Sequence, residues 1–150
     1  MSGPTLYIDC FSGVAGDMFV GALLDAGAGS LGLLQAELEK VDFDGWSIAT
    51  ESIKVSGIAA TRFSVIIEGE EQEPRSLSDI EELIARSGLS EKVRSHCLAI
   101  FGRVARAEAR AHGESLQTVH FHEVGMVDSI IDIISTCVLI EELKPGEVFC

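Results

Sequence analysis

The sequence predicts an α/β fold, a mixed sheet with packed helices in the order β-α-α-β-β-α-α-α-β, on three observations. Short runs rich in β-branched residues or alternating in polarity occur at residues 5–9, 46–55 and 60–68, as strands do. Longer stretches between and after them repeat apolar residues at three- and four-residue steps, which gives a helix one stripe to pack on a core. The second and third strand runs are joined by Ser56-Gly57 and read as antiparallel neighbours, so the sheet is mixed rather than purely parallel. With 150 residues and 47% hydrophobic content, residues 1–150 have the length of one compact domain with a real core. A single α/β domain is therefore expected.

The first strand, residues 5–9, reads as buried and delivers Asp9 to its carboxyl end. A glycine-containing turn, residues 10–17, leads into an apolar helix over residues 18–26 that Gly27 and Gly29 stop, since glycine accepts the left-handed conformation just past a helix end. A second helix over 31–41 places Leu31, Leu34, Leu38 and Val41 on one stripe. After the central strand pair, residues 68–74 form an acidic, solvated loop. Ser78 and Glu81 have capping-box spacing at the start of a helix ending near Ser87-Gly88. A long helix follows over 90–112, with Val93, Cys97, Ile100, Phe101, Val104 and Ala111 on one face and Gly113 as its stop. The segment 127–143 is apolar on most faces and reads as a buried helix, ended by Lys144-Pro145-Gly146. Residues 147–150 resemble the start of a strand, and the chain is expected to be the N-terminal fragment of a longer protein.

The charge balance narrows the function. With 11 basic residues against 24 acidic ones and a net charge of −13, the chain lacks the basic clusters that bind phosphate backbones, so no nucleic acid partner is expected. Cations or positively charged groups suit it better. No secretory signal and no membrane span is visible, the most apolar stretch being interrupted by Asp128 and Asp132. Cys10, Cys97, Cys137 and Cys150 contain no Cys-x-x-Cys pair, which suits free thiols in a reducing cytoplasm.

The chemistry concentrates at residues 120–132. His120 and His122 are two apart, so an extended segment points both to one side, with Glu123 following. Imidazole nitrogen and carboxylate oxygen suit a borderline divalent ion such as nickel, zinc, iron or manganese. The competing reading makes one histidine a hydrogen-bonding cap and leaves the other at the surface. Asp128 and Asp132 share a helix face. Two carboxylates on so apolar a helix are costly without cations or donors, which favours an acid/base or support role. Alternatively, Asp128 caps the helix start and Asp132 meets a cation or water. Residues Ser12, Gly13, Gly16 and Asp17 belong to a turn that offers amides to a phosphate at a helix N-terminus, although it lacks the P-loop ending and Asp17 repels an anion. Cys10 is either a thiolate ligand or a small buried residue, the commoner case. His96 and His112, on the long helix, read as structural or exposed.

Asp9-Cys10-Phe11-Ser12-Gly13, Ala15-Gly16-Asp17-Met18, Gly57-Ile58 with Ala60-Thr61, Arg75-Ser76-Leu77 with Asp79-Ile80, Ala99-Ile100-Phe101, Ala107-Glu108-Ala109, His120-Phe121-His122-Glu123-Val124-Gly125 and Val127-Asp128-Ser129-Ile130 with Asp132 together resemble the N-terminal part of the LarC family of nickel insertion proteins. The likeness runs over nearly the whole chain, and its first and last motifs are long and unusual. It implies a lyase that inserts Ni(II) into a pyridinium bisthiocarboxylate mononucleotide, consuming CTP, to make the nickel-pincer cofactor of lactate racemase. The CTP-binding part of the family is associated with a C-terminal region that this chain lacks. Many members carry a histidine-rich tract where this chain has 68–73 without a histidine. On that resemblance and the residue chemistry, His120, His122 and Glu123 are the expected metal ligands. Asp9, Ser12, Gly13, Gly16 and Asp17 are the expected contacts to the mononucleotide or a second cation, and Asp128 and Asp132 the expected acid/base or support groups. The alternative is a non-catalytic metal-binding or assembly module that needs the C-terminal half; a third reading is a nucleotide-binding enzyme using the Gly13–Gly16 turn. Whether copies form a homo-oligomer is open.

Overall fold

A computed structural model describes residues 3–69, 74–116, 121 and 124–150. Its elements run β1 (Thr5–Tyr7), α1 (Gly16–Asp25), α2 (Leu31–Leu38), β2 (Trp46–Val55), β3 (Ile58–Ile67), α3 (Leu77–Arg86), α4 (Glu91–His112), α5 (Val127–Leu143) and β4 (Glu147–Phe149). This is the expected α/β class and order. The mixed character is divided between two small sheets, since β1 pairs with β4 in parallel and β2 with β3 antiparallel.

Helix α5 is the centre. Val127, Ile130, Ile131, Ile134, Ser135, Cys137, Val138 and Leu139 on it are all buried, because the sequence is apolar on most faces and every such face must meet another element. It packs on α1, α2, α4 and β3, and Lys144 ends it in the left-handed conformation at φ 48°. Helix α4 turns Val93, Cys97, Phe101, Ala105 and Ala109 inward. The expected stripe is correct over its first part and drifts at the end, where Ala111 is exposed and Ala105 and Ala109 are buried instead. Gly113 stops the helix at φ 70° as expected.

The β2–β3 hairpin closes through Ser56 and Gly57, both left-handed at φ 51° and 85°, and this two-residue turn matches the twist of the paired strands. Phe63 is the buried anchor of the hairpin, and α1 lies across β3 beside it. Gly21 allows the approach: a Cβ there would stand 2.5 Å from the Thr61 carbonyl oxygen.

Two local expectations are corrected. The helix at residue 77 is capped by Ser76 and Asp79, not Ser78 and Glu81: the Asp79 amide donates to the Ser76 hydroxyl, and the Ser76 amide to Asp79. The Ser76 hydroxyl also donates to the Asp79 carboxylate at 2.6 Å, and this bond chiefly holds the Asp79 carboxyl below its ordinary range. The first strand is shorter than its β-rich run and largely exposed, with Leu6 alone of its three residues half-buried on the core and Tyr7 70% exposed. Among the described residues it pairs only with β4, which is exposed along its length.

Adding a methyl group at two glycines separates packing from propensity. Gly21→Ala should cost roughly 1–3 kcal/mol, because the added methyl would meet β3 backbone, which cannot turn aside, and the α1–β3 contact must open. Gly32→Ala, in α2 with only the Ser30 hydroxyl at 4.0 Å, should instead gain about 0.5 kcal/mol from helix propensity. Chemical denaturation of the two variants measures both signs.

Candidate functional site

Helix α1 opens at Gly16 with Ala15 as its N-cap, and no side chain caps it. The α1 end meets a side chain of α5 instead. A Cβ on Gly16 would lie 2.6 Å from Asp132 Oδ2 and 2.8 Å from its Cβ, so only a glycine leaves room for the carboxylate against the turn. The Asp17 amide opposes the rise of that carboxyl, since the negative group lies where the helix presents its free amides.

Two further acids surround this contact. Asp17 and Asp128 line the same cleft as Asp132, a space of about 480 Å³ also bordered by Ala15, Gly16, Phe63, Ser64, Val65 and Ser129. Burial first, then the charges of Asp17 and Asp128, push the Asp132 carboxyl up to about 7, against the opposing pull of the Asp17 amide. Its Oδ1 is buried without a hydrogen-bond partner among the described residues. Such an atom is cheaper to bury when the carboxyl carries a proton. Asp128 is exposed and its Oδ1 accepts from the Ser129 amide at 2.7 Å. It lies in the first turn of α5, whose N-cap is Met126, so Asp128 is not the helix cap.

The other candidates flank the same loop on its opposite side. Asp9 and Gly13 line a cleft of about 350 Å³ with Leu6, Tyr7, Cys10, Val14 and Met18 among its walls. Gly13 is left-handed at φ 87°, and its amide donates to the Cys10 carbonyl at 2.9 Å. Ser12 is exposed and borders neither cleft. The structure thus brings Asp17, Asp128 and Asp132 together, and separately Asp9 with Gly13. Among the described residues, no group of three or more His, Cys, Asp or Glu side chains is arranged to hold a metal ion.

His120, His122 and Glu123 lie outside the described residues. Between them Phe121 is buried at 6.4 Å from the Phe101 ring. Just beyond, the Gly125 carbonyl accepts from the Arg75 amide at 3.0 Å, and a Cβ on Gly125 would meet the Arg75 carbonyl oxygen at 2.5 Å. The sequence motifs around Arg75 and Gly125 are therefore in contact. Sequence reasoning missed this pairing, the seat of Asp132 on Gly16, and the approach of Cys10 to Cys150 at 3.8 Å between sulfurs. For Asp132 the available signal was a carboxylate on an otherwise buried helix; for the cysteines no spacing rule pointed to it.

The chain matches the family profile of the nickel insertion proteins over residues 6–150. It belongs to the nickel insertion protein family. A relative from Acetivibrio thermocellus, named pyridinium-3,5-bisthiocarboxylic acid mononucleotide nickel insertion protein, is 41% identical over 96% of this chain and 37% of its own length. One of the same name from Geobacillus kaustophilus is 45% identical over 92% of this chain and 36% of its own. A third, from Desulfitobacterium hafniense, is 42% identical over 95% and 35%. The chain thus spans little more than a third of the length of these family members. No solved structure matches it.

Asp132 gives the site a pH signature. Its carboxyl is raised from 3.8 in the unfolded chain to about 7 in the fold, so between those values the folded state holds a proton that the unfolded state has lost. Its contribution to stability is full below the unfolded value and is lost as pH rises through about 7. Asp132→Asn should flatten that slope. It should make the protein more stable than the parent at pH 8 by on the order of 1 kcal/mol, allowing for partial solvent exposure. Urea midpoints from pH 4 to 8 test it, and a slope unchanged by the substitution would place the titration elsewhere.

Proposed function

We propose that this chain is the N-terminal part of a nickel insertase that acts on pyridinium-3,5-bisthiocarboxylic acid mononucleotide to make the nickel-pincer cofactor used by lactate racemase. The observation that carries the reading is the family match over residues 6–150, with relatives named for that substrate. Nickel is cargo here, and CTP is the proposed co-substrate, bound through the C-terminal region of the full-length family members. The net charge of −13 suits a protein that gathers cations and fits no nucleic acid partner. Four free cysteines, and the absence among the described residues of a helix long and apolar enough to cross a membrane, support a cytoplasmic setting.

In this reading His120, His122 and Glu123 hold the incoming nickel, and Asp9, Ser12, Gly13, Gly16 and Asp17 face the mononucleotide. Forming a metal–carbon bond on the pyridinium ring displaces a ring proton, which some group must accept. Asp132 is suited to that task because a carboxyl that titrates at about 7 exchanges protons readily near neutral pH. Burial sets that value in the first place, and the charges of Asp17 and Asp128 add to it. The seat of Asp132 against Gly16 fixes its direction, so the acceptor does not have to be ordered during the reaction.

The share of the family length that the chain spans supports a second reading, in which these residues are a metal-binding or assembly module and the chemistry needs the C-terminal half. Mixing decides between them: if the 150-residue chain metallates the precursor with CTP only when the remaining segment of a family member is added, the module reading holds.

His120→Ala combined with His122→Ala should weaken nickel binding at least tenfold by calorimetry on protein whose accessible thiols have been alkylated, with the circular dichroism spectrum unchanged. An unaltered affinity would remove the histidines from the nickel site. In the reconstituted reaction Asp132→Asn should slow metallation by about 10²- to 10⁴-fold, as loss of a general base does.

A further inference from the structure

Cys10 and Cys150 stand 140 positions apart, yet their sulfurs are 3.8 Å from each other. Topology causes the meeting. Strands β1 and β4 run parallel with Tyr7 opposite Phe149, and the Ile8 amide donates to the Phe149 carbonyl at 2.9 Å. Both chains therefore leave the sheet at the same end. Cys150 follows directly, and the Cys10–Gly13 turn, closed by the Gly13 amide, directs Cys10 back toward it.

The separation is too long for a disulfide, whose sulfurs lie about 2.05 Å apart. It matches one edge of a metal–thiolate tetrahedron: with metal–sulfur bonds of about 2.3 Å, two ligand sulfurs are separated by about 3.8 Å. Both thiols are reachable, Cys10 being half-exposed and Cys150 exposed. The other close cysteine pair, Cys97 with Cys137, is buried between α4 and α5 and offers no entry path. The Cys150 sulfur is the main influence holding the Cys10 thiol above its ordinary range, and the Asp9 charge acts in the same direction. The pair is therefore held as neutral thiols in the free protein, and a cation that binds it displaces the thiol protons to solvent.

We propose that Cys10 and Cys150 form a dithiolate landing site for a soft or borderline divalent cation, nickel in this family, at the mouth of the cleft lined by Asp9 and Gly13. The dithiolate supplies two ligands, and water or an incoming substrate supplies the others. The choice of nickel rests on the insertase reading; the dithiolate site itself does not. If the precursor is a bisthiocarboxylate, passing nickel to it is ligand exchange between like donors. Each nickel–cysteine bond that breaks is replaced by a nickel–sulfur bond to the precursor, the cysteine sulfurs take up protons, and the metal stays Ni(II) throughout.

The test titrates nickel(II) or cobalt(II) chloride into the 150-residue chain, kept reduced with a non-chelating phosphine, and follows sulfur-to-metal charge-transfer absorption in the near ultraviolet. One equivalent should saturate the band. Cys10→Ser and Cys150→Ser should each weaken binding at least tenfold and remove most of the band with the fold intact by circular dichroism; Cys150, exposed at a strand end, is the variant safest for folding. The His120→Ala, His122→Ala protein should keep the band, so failure of the histidine site and failure of the dithiolate are read separately. Absence of a band in the parent protein, or its survival in both serine variants, would overturn the proposal.

Discussion

The contact between the Asp132 carboxylate and the Gly16 backbone is the constraint on which the rest of the candidate site depends. A carboxylate leaving an apolar helix is costly to bury unless donors or cations meet it. Here the α1 N-terminus supplies one amide, and Gly16 supplies the space for the side chain to reach it. That approach fixes where α1 begins relative to α5, and so brings Asp17 beside Asp132 and sets Asp128 along the same cleft. The local electrostatics follow from the packing. One amide does not offset burial plus two neighbouring charges, and the carboxyl therefore titrates near neutrality instead of in the usual acidic range.

Elements set by local periodicity or by glycine were legible in the sequence. The limits of α5 follow directly from an apolar run ended by Lys144-Pro145-Gly146, and Ser56-Gly57 specifies the hairpin turn through residues that tolerate a positive φ. The capping of α3 was misplaced by two residues because two serines, Ser76 and Ser78, and the acids Asp79, Glu81 and Glu82 compete there with overlapping spacings, and only geometry shows that Ser76 and Asp79 satisfy each other. The exposure of β1 was not legible either. Residues 5–9 have the composition of a buried strand, but burial requires neighbours, and among the described residues β1 pairs with a single short strand.

The site was partly legible for the same reason. A carboxylate on a buried helix is visible as an anomaly in one dimension, and this marked Asp132. Its partner could not be inferred, because Gly16 serves through the volume it lacks, which no chemical pattern announces. The meeting of Cys10 with Cys150 was further out of reach. It depends on parallel pairing of the first and last strands, a non-local register that composition does not encode.

The two clefts draw on successive residues of one short stretch, Asp9 to Met18, and this bears on how the parts of the site work together. Loop residues 10–15 and the start of α1 separate the dithiol from the three acids, with Met18 on the dithiol side and Gly16 and Asp17 on the other. The chemistry on either side differs in kind. Thiols favour soft cations, whereas a half-buried carboxyl titrating near 7 favours proton exchange. The insertase reaction proposed above would use both, a donor that releases the metal to the sulfurs of the precursor and a base that removes the ring proton. A loop whose ends are fixed by the Gly13–Cys10 hydrogen bond and by the Gly16–Asp132 contact holds the thiols and the acids at a set spacing. If the proposed insertase function holds, metal delivery and proton removal fall to the two ends of the same short stretch of chain, so a change in the turn would alter both together.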